Sequence, residues 1–229
     1  MIVRTLFAAV AVFLAAALPT VSAYADDVSK QDAQDLVDRS RMAVDAVLSE
    51  KNFESARELM KNAKGVLIIP QLFKAGFFIG GAGGNGVLLA RNPEGQWSQP
   101  AFYTMGAGSI GFQFGVQDAQ VVLIIRTEKG LISVLDDQVK LGADASIAVG
   151  TVGAGMGGAT TTNVGADIVT YSLARGAFGG GAFEGAVIGK RSDYNKVYYG
   201  QEVEPRAILQ PTMTPNPGSA TLRETLAKY

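Results

Sequence analysis

Lys64-Gly-Val-Leu-Ile-Ile-Pro70, Gly76-Phe-Phe-Ile-Gly-Gly-Ala-Gly-Gly-Asn-Gly86 and Val87-Leu-Leu-Ala-Arg91 follow one another within a single stretch of the chain. Short apolar runs rich in β-branched residues alternate there with glycine clusters. Glycine lacks a Cβ, so it suits backbone that bends, bulges or lies close against another segment. No glycine occurs in the first 64 residues, and all 28 fall after them. That contrast divides the chain into a helical leader and a glycine-rich sheet. Repeated clusters of this kind call for strong curvature.

Working outward, residues 28–62 contain neither Gly nor Pro, and Leu36, Val37, Val44, Val47 and Leu48 recur at spacings of three and four. This is the pattern of an amphipathic helix. Asp26, Asp27, Asp32 and Asp35 crowd its beginning, where the helix dipole favours negative charge. A break is expected near residues 49–52, with Asn52 capping a second helix that buries Phe53, Ala56, Leu59 and Met60. From Gly65 the spacing switches to strands, expected at 66–69, 77–79, 87–91, 101–105, 120–126 and 131–135. Residues 131–138 fit the start of a short helix equally well. Further strands are expected at 145–149, 167–172, 177–188 and 197–199, and Asn92-Pro-Glu-Gly95 reads as a turn. The connections are too short for parallel crossovers, so antiparallel pairing is expected. Four prolines between Pro205 and Pro217 suggest an extended linker, with a brief helix over 221–228.

The fold class expected is therefore α+β, with N-terminal helices packed on a glycine-rich, strongly curved, mainly antiparallel sheet or barrel-like β domain. The segments expected are 1–25 as a signal peptide, 26–63 as a helical segment, 64–200 as the β-rich domain, and 201–229 as a proline-rich tail. The first of these rests on Arg4, an apolar run from Leu6 to Leu18, Pro19, and the small-x-small sequence Ala23-Tyr24-Ala25. Such a stretch marks export with cleavage after Ala25, to a periplasmic or secreted location. About 13 apolar residues fall short of the roughly 20 that a membrane span needs. Cleavage would remove Arg4 and leave 19 basic against 21 acidic residues, a net charge of −2 that gives no sign of a nucleic-acid binder. An exported chain without cysteine is held by packing alone.

Reactive chemistry is scarce. Gly81-Ala-Gly-Gly-Asn-Gly86 matches the spacing of a dinucleotide fingerprint, but a strand-like Val87-Leu-Leu-Ala follows where a helix is required. No Gly-Lys-Ser/Thr follows the cluster at 150–158, so a phosphate-binding loop is excluded. Both clusters read as tight strand turns. Ser109 lacks the glycine two residues before it that a nucleophile elbow needs, and the chain has no histidine to serve as a base. Without His or Cys, only carboxylates remain for a metal. Asp136, Asp137, Asp144 and Glu184 are the carboxylates a hydrolase would draw on, yet no spacing singles out a pair. The residues point to no enzyme, no cofactor and no metal.

What remains is apolar and basic surface. Phe73-Lys74-Ala75-Gly76-Phe77-Phe78 sets aromatics beside a lysine, and Lys64 and Arg91 flank the same region. This combination suits an anionic head group with acyl chains next to it. On the residues alone, aromatics in the core with scattered solubilising charges is the favoured reading. Trp97 reads as a packing anchor at the sheet edge.

In order, Lys64-Gly-Val-Leu-Ile-Ile-Pro70, Lys74-Ala-Gly-Phe-Phe-Ile-Gly-Gly81, Gly84-Asn-Gly-Val-Leu-Leu-Ala-Arg91, Trp97-Ser-Gln-Pro100, Gly108-Ser-Ile-Gly-Phe-Gln-Phe-Gly115, Leu141-Gly-Ala-Asp-Ala-Ser-Ile-Ala-Val-Gly150, Gly176-Ala-Phe-Gly-Gly-Gly181 and Tyr198-Tyr-Gly200 resemble the SYLF-domain family. The resemblance runs from about Lys61 to Gly200. It implies a compact lipid-binding domain, with phosphoinositides as ligands of eukaryotic relatives and actin binding for yeast-type members. An export signal and an acidic N-terminal helix set this chain apart, and phospholipid of a bacterial envelope is the substitute ligand expected. Lys64, Lys74 and Arg91 would then face phosphates, with Phe73, Phe77 and Phe78 on acyl chains. The alternative is an envelope protein that engages another protein through its helices or strand edges, without lipid.

Overall fold

The structure, a computed structural model, describes residues 27–76, 79–110, 115–136, 138–150, 165–175, 183 and 185–229. Helix α1 (Lys30–Ser49) starts at Ser29, whose hydroxyl accepts from the Asp32 N–H while the Asp32 carboxylate accepts from the Ser29 N–H. That reciprocal box satisfies two of the first turn's unpaired donors. The expected break follows, but Phe53 rather than Asn52 precedes α2 (Glu54–Lys61), and no side chain caps it. Phe53 is drawn in by packing, edge-on to Tyr171 at 5.2 Å.

Eight strands make one sheet: β1 (Gly65–Gly76), β2 (Ile79–Ala90), β3 (Ala101–Ile110), β4 (Gly115–Ile125), β5 (Gln138–Lys140), β6 (Ile147–Val149), β7 (Ile168–Arg175) and β8 (Val187–Lys190). Their order is β5-β8-β3-β2-β1-β4-β7-β6. Every pairing is antiparallel except that of β6 with β7. Curvature follows from connectivity. Flat, eight strands would set the two edges about 34 Å apart. Yet the edge strands β5 and β6 are joined by residues 141–146, which reach at most about 25 Å when fully extended. That link is itself folded back, with Gly142 N–H donating to Ala145 O at 2.8 Å. The sheet must curl into a strongly curved half-barrel.

Its two faces carry two apolar clusters. One draws on all eight strands, from Val139 and Ile188 at one edge through Tyr103, Leu88, Leu67 and Leu123 to Ile168 and the partly buried Ile147 at the other. Only the inside of a curled sheet brings both edges together. The opposite face, with Ile68, Val87, Phe102, Val122 and Tyr171, is covered by α1, α2 and two C-terminal helices, α4 (Ser192–Tyr199) and α6 (Ala220–Leu226).

Several expectations are corrected. Of the two readings left open for residues 131–135 the helix holds, as α3 (Glu128–Leu135), because Thr127 caps it by accepting from Gly130 N–H at 3.0 Å. Residues 197–199 end α4, not a strand. There Tyr198 and Tyr194 pack on Phe102, and Gly200, at φ 72°, stops the helix in the left-handed region. Gly81–Gly86 lie inside β2 rather than at a turn. The tail is no free linker. Pro205 opens helix α5 (Pro205–Ile208), Pro217 opens a 3-10 turn (Pro217–Ser219), and Ile208, Leu222 and Leu226 are fully buried. Helix α6 matches the brief helix expected near the end, and the turn at Asn92–Gly95 also forms, with Gly95 N–H bound to Asn92 O.

Pro70 sits where β1 slips register against both neighbours, between Ile68 and Phe73 on one side and between Ile69 and Leu72 on the other. Proline has no N–H to give a ladder, so a bulge is where a central strand tolerates it. The bulge presses onto β2, and a methyl at Gly86 would run into Ile68 O and the Ile69 side chain. Close backbone approach, not phosphate, explains glycine there.

Candidate functional site

The six residues singled out for ligand contact do not share one place. Lys64 is exposed just before β1, with its N–H on Ile125 O and its carbonyl accepting from Arg91 N–H. Arg91 stands beside it at the end of β2. Its guanidinium donates to Met60 O at 2.9 Å and Lys61 O at 2.8 Å, closing the C-terminus of α2, and lies 5.0 Å from the centre of the Trp97 ring. That is a tie between helix and sheet. Trp97, bridged to Arg91 and 3% exposed, is the anchor expected of it.

Phe73 and Lys74 lie toward the other end of β1, about 30 Å away at roughly 3.3 Å per residue. For Lys74 only its strand position is described, opposite Ala82 and Gln117. Phe77 and Phe78 lie outside the described residues. Phe73 points to the helix-covered side of the sheet, but beyond the reach of the helices, and is 48% exposed. Its partners across the strands are Gly83 on β2 and Asp118 on β4.

Beside Phe73 a groove of about 450 Å³ opens between α1 and this outward face. Arg39 and Met42, three residues apart on one side of α1, form one wall. The β1 bulge at Pro70 and Gln71, Asp118 and Gln120 of β4, and Leu173 of β7 form the other. Among the described residues four large apolar side chains stay exposed. Of these, Met42, at 49%, lines this groove, and Phe73 is the cross-strand neighbour of Asp118, which lines it too. Sequence reading missed Arg39, Met42 and Asp118. The available signal was the alternation Asp118-Ala-Gln-Val121, in which Ala119 and Val121 turn inward and the polar pair outward.

The carboxylates considered for catalysis are dispersed. Asp136 pairs with Arg206 at 3.0 Å, and Asp144 accepts from Lys140 N–H within its own turn. Asp137 and Glu184 lie outside the described residues. Among the described residues the most shielded carboxylate is Asp167, which accepts from the Thr127 hydroxyl at 2.7 Å and from the Ser146 hydroxyl and N–H at 2.7 and 3.1 Å. These bonds, Thr127 foremost, hold its pKa at about 2. It stays ionised near neutrality and ties the start of α3 to the β6–β7 link. Among the described residues no three His, Cys, Asp or Glu side chains gather to hold a metal.

A curled, mainly antiparallel sheet under a helical layer, with an open groove between them, defines an α+β domain. The chain belongs to the family described as "Ysc84: Las17-binding protein actin regulator", which matches residues 106–229, more than half its length. This is the SYLF-domain family that its motifs resemble. It is 29% identical over 172 residues to the SH3 domain-containing YSC84-like protein 1 of Bos taurus, covering 75% of this chain and 50% of that protein. It is 31% identical over 163 residues to LAS seventeen-binding protein 3 of Saccharomyces cerevisiae, covering 70% and 35%. Protein YSC84 of Saccharomyces cerevisiae is 32% identical over 154 residues, covering 66% and 33%. The chain thus spans half or less of these relatives. Their descriptions speak of binding and regulation, not of enzymes.

Proposed function

We propose that the protein is an exported, non-catalytic lipid-binding module that touches phospholipid in the bacterial cell envelope. The observation supporting this reading is half-exposed Met42 lining the groove between α1 and the sheet, with half-exposed Phe73 next to Asp118, which lines the same groove. Large apolar side chains left at the rim of a groove are unfavourable in water and favourable in contact with acyl chains. Phe73 and Lys74 keep the roles expected of them in this reading, while Lys64 and Arg91 belong to the far end of the sheet.

The test is co-sedimentation of the chain from Asp26 onward with phospholipid vesicles. Met42→Ser with Phe73→Ser should lower retention about tenfold, the change expected from withdrawing two side chains from lipid. A folded wild-type protein that no vesicle retains would refute the reading, as would equal retention by the double variant. Export is checked by sequencing the N-terminus of the protein recovered from cells, which should begin at Asp26.

A second reading, a protein-interaction module without a lipid ligand, is favoured by the binding and regulatory descriptions of the family and its relatives. A stoichiometric protein partner recovered together with lipid-free protein would select it.

A further inference from the structure

The groove beside α1 holds two opposite charges that do not meet. Arg39 and Asp118 stand on its facing walls, yet neither takes part in an ion pair among the described residues. Arg39 Nε donates to Asp35 O, one turn back on its own helix, at 3.3 Å. Asp118 accepts from the Gln71 amide, at the β1 bulge, at 3.3 Å. Backbone placement explains the separation. Arg39 is fixed by α1, Asp118 by its register opposite Phe73, and each has settled for a neutral neighbour.

We propose that this groove takes the head group of a zwitterionic phospholipid, the phosphodiester at Arg39 and the ammonium at Asp118. The inference rests on the lipid reading above and names the class of lipid. A guanidinium offers several N–H donors in one plane and matches phosphate oxygens. A carboxylate across the groove would repel a second negative charge and attract a cation. An anionic head group satisfies Arg39 and is opposed by Asp118, whereas a dipolar one satisfies both. Met42 and Leu173 line the same groove, and exposed Phe73 neighbours Asp118, which leaves an apolar margin for the glycerol and the first acyl carbons. Register also sets Arg175 opposite Asp118 on β7, so a preference for anionic lipid is the competing outcome.

The experiment compares retention on phosphatidylcholine–phosphatidylethanolamine vesicles with retention on vesicles containing phosphatidylglycerol. The wild type should be held by the first kind. Arg39→Gln and Asp118→Asn should each lower that retention about fivefold, and Asp118→Asn should leave retention on phosphatidylglycerol equal or higher. Both side chains are exposed, so thermal melts of the variants should match the wild type. Retention on phosphatidylglycerol alone, or zwitterionic retention that Asp118→Asn leaves unchanged, overturns this inference while lipid binding itself stands. No retention on either vesicle sinks both. Soluble glycerophosphocholine that perturbs the amide resonances of Arg39 and Asp118 in a protein no vesicle retains makes the occupant a free dipolar ion, which also overturns it.

Discussion

The four long strands β1 to β4 are each two different materials along their length. In the half nearest α2 they alternate large side chains to both faces: Leu67, Leu88 and Leu123 inward, Ile68, Val87 and Val122 outward under the helices. Past the bulge at Pro70, β2 and β3 turn small, with Gly83 beside Gly106 and Gly81 beside Gly108 on the outward face, all exposed. Between β2 and β3 the pairing continues unbroken through both halves. The sheet's backbone therefore does not need its side chains to pair, only to pack. The first half supplies stability, and the second offers surface.

If that division is right, glycines on the two sides of the bulge must answer differently to the same change. Gly86 lies under it, fully enclosed, and its missing Cβ is where Ile68 O and the Ile69 side chain sit. Gly86→Val should cost about 3 kcal/mol or more, as overpacking against backbone does when nothing can give. Chemical denaturation would measure it, and a loss below about 1 kcal/mol would mean that the bulge is softer than the register implies.

A smaller effect tests the polar closure of the packed half, where Asp167 ties Thr127 and Ser146 together. Its pKa is lowered from 3.8 to about 2, so it binds its proton more weakly folded than unfolded. The stability it adds is fully present above the unfolded value and is lost as pH falls toward about 2. Asp167→Asn should lower stability by about 1–2 kcal/mol at neutral pH, once solvent screening is allowed for. Wild type and variant should converge near pH 2. Parallel curves over that range would mean that the carboxylate adds nothing.

The packed half was the more legible in sequence. Its apolar runs, its curvature and its class follow from alternation and glycine spacing. What misled were segments where two local signals compete. Val197-Tyr-Tyr199 has the composition of a strand, but Gly200 ends it as a helix and Phe102 supplies the ring surface that Tyr198 needs. Prolines at 205 and 217 look like a linker until they are seen to start turns. There Asn216 and Ser219 bind the Gln99 amide oxygen, and the Arg223 Nε binds Trp97 O. The site was only half readable. Phe73 stands next to it, beside Asp118, but Arg91 looked like a head-group contact because nothing in its neighbours revealed that the end of α2 would come to rest on it. Arg39 and Asp118 are 79 positions apart, and only the passage of α1 across β4 makes them face one groove.

The smallest expected change is also the sharpest test of the contrast. Gly106 sits on the outward face two positions beyond Thr104, its φ is not positive, and no atom lies within 4 Å of where its Cβ would be. Alanine there meets nothing in the folded state and narrows the unfolded ensemble, so Gly106→Ala should raise stability slightly, by about 0.5 kcal/mol. The sign matters more than the size. Gly86 and Gly106 stand on neighbouring segments of one continuous ladder, and a common loss of stability would mean that both halves are covered. A gain at Gly106 against a large loss at Gly86, with vesicle retention compared on the same Gly106→Ala sample, would separate the two roles. Unchanged retention confines lipid to the groove, whereas reduced retention extends the contact over the bare strands next to Phe73.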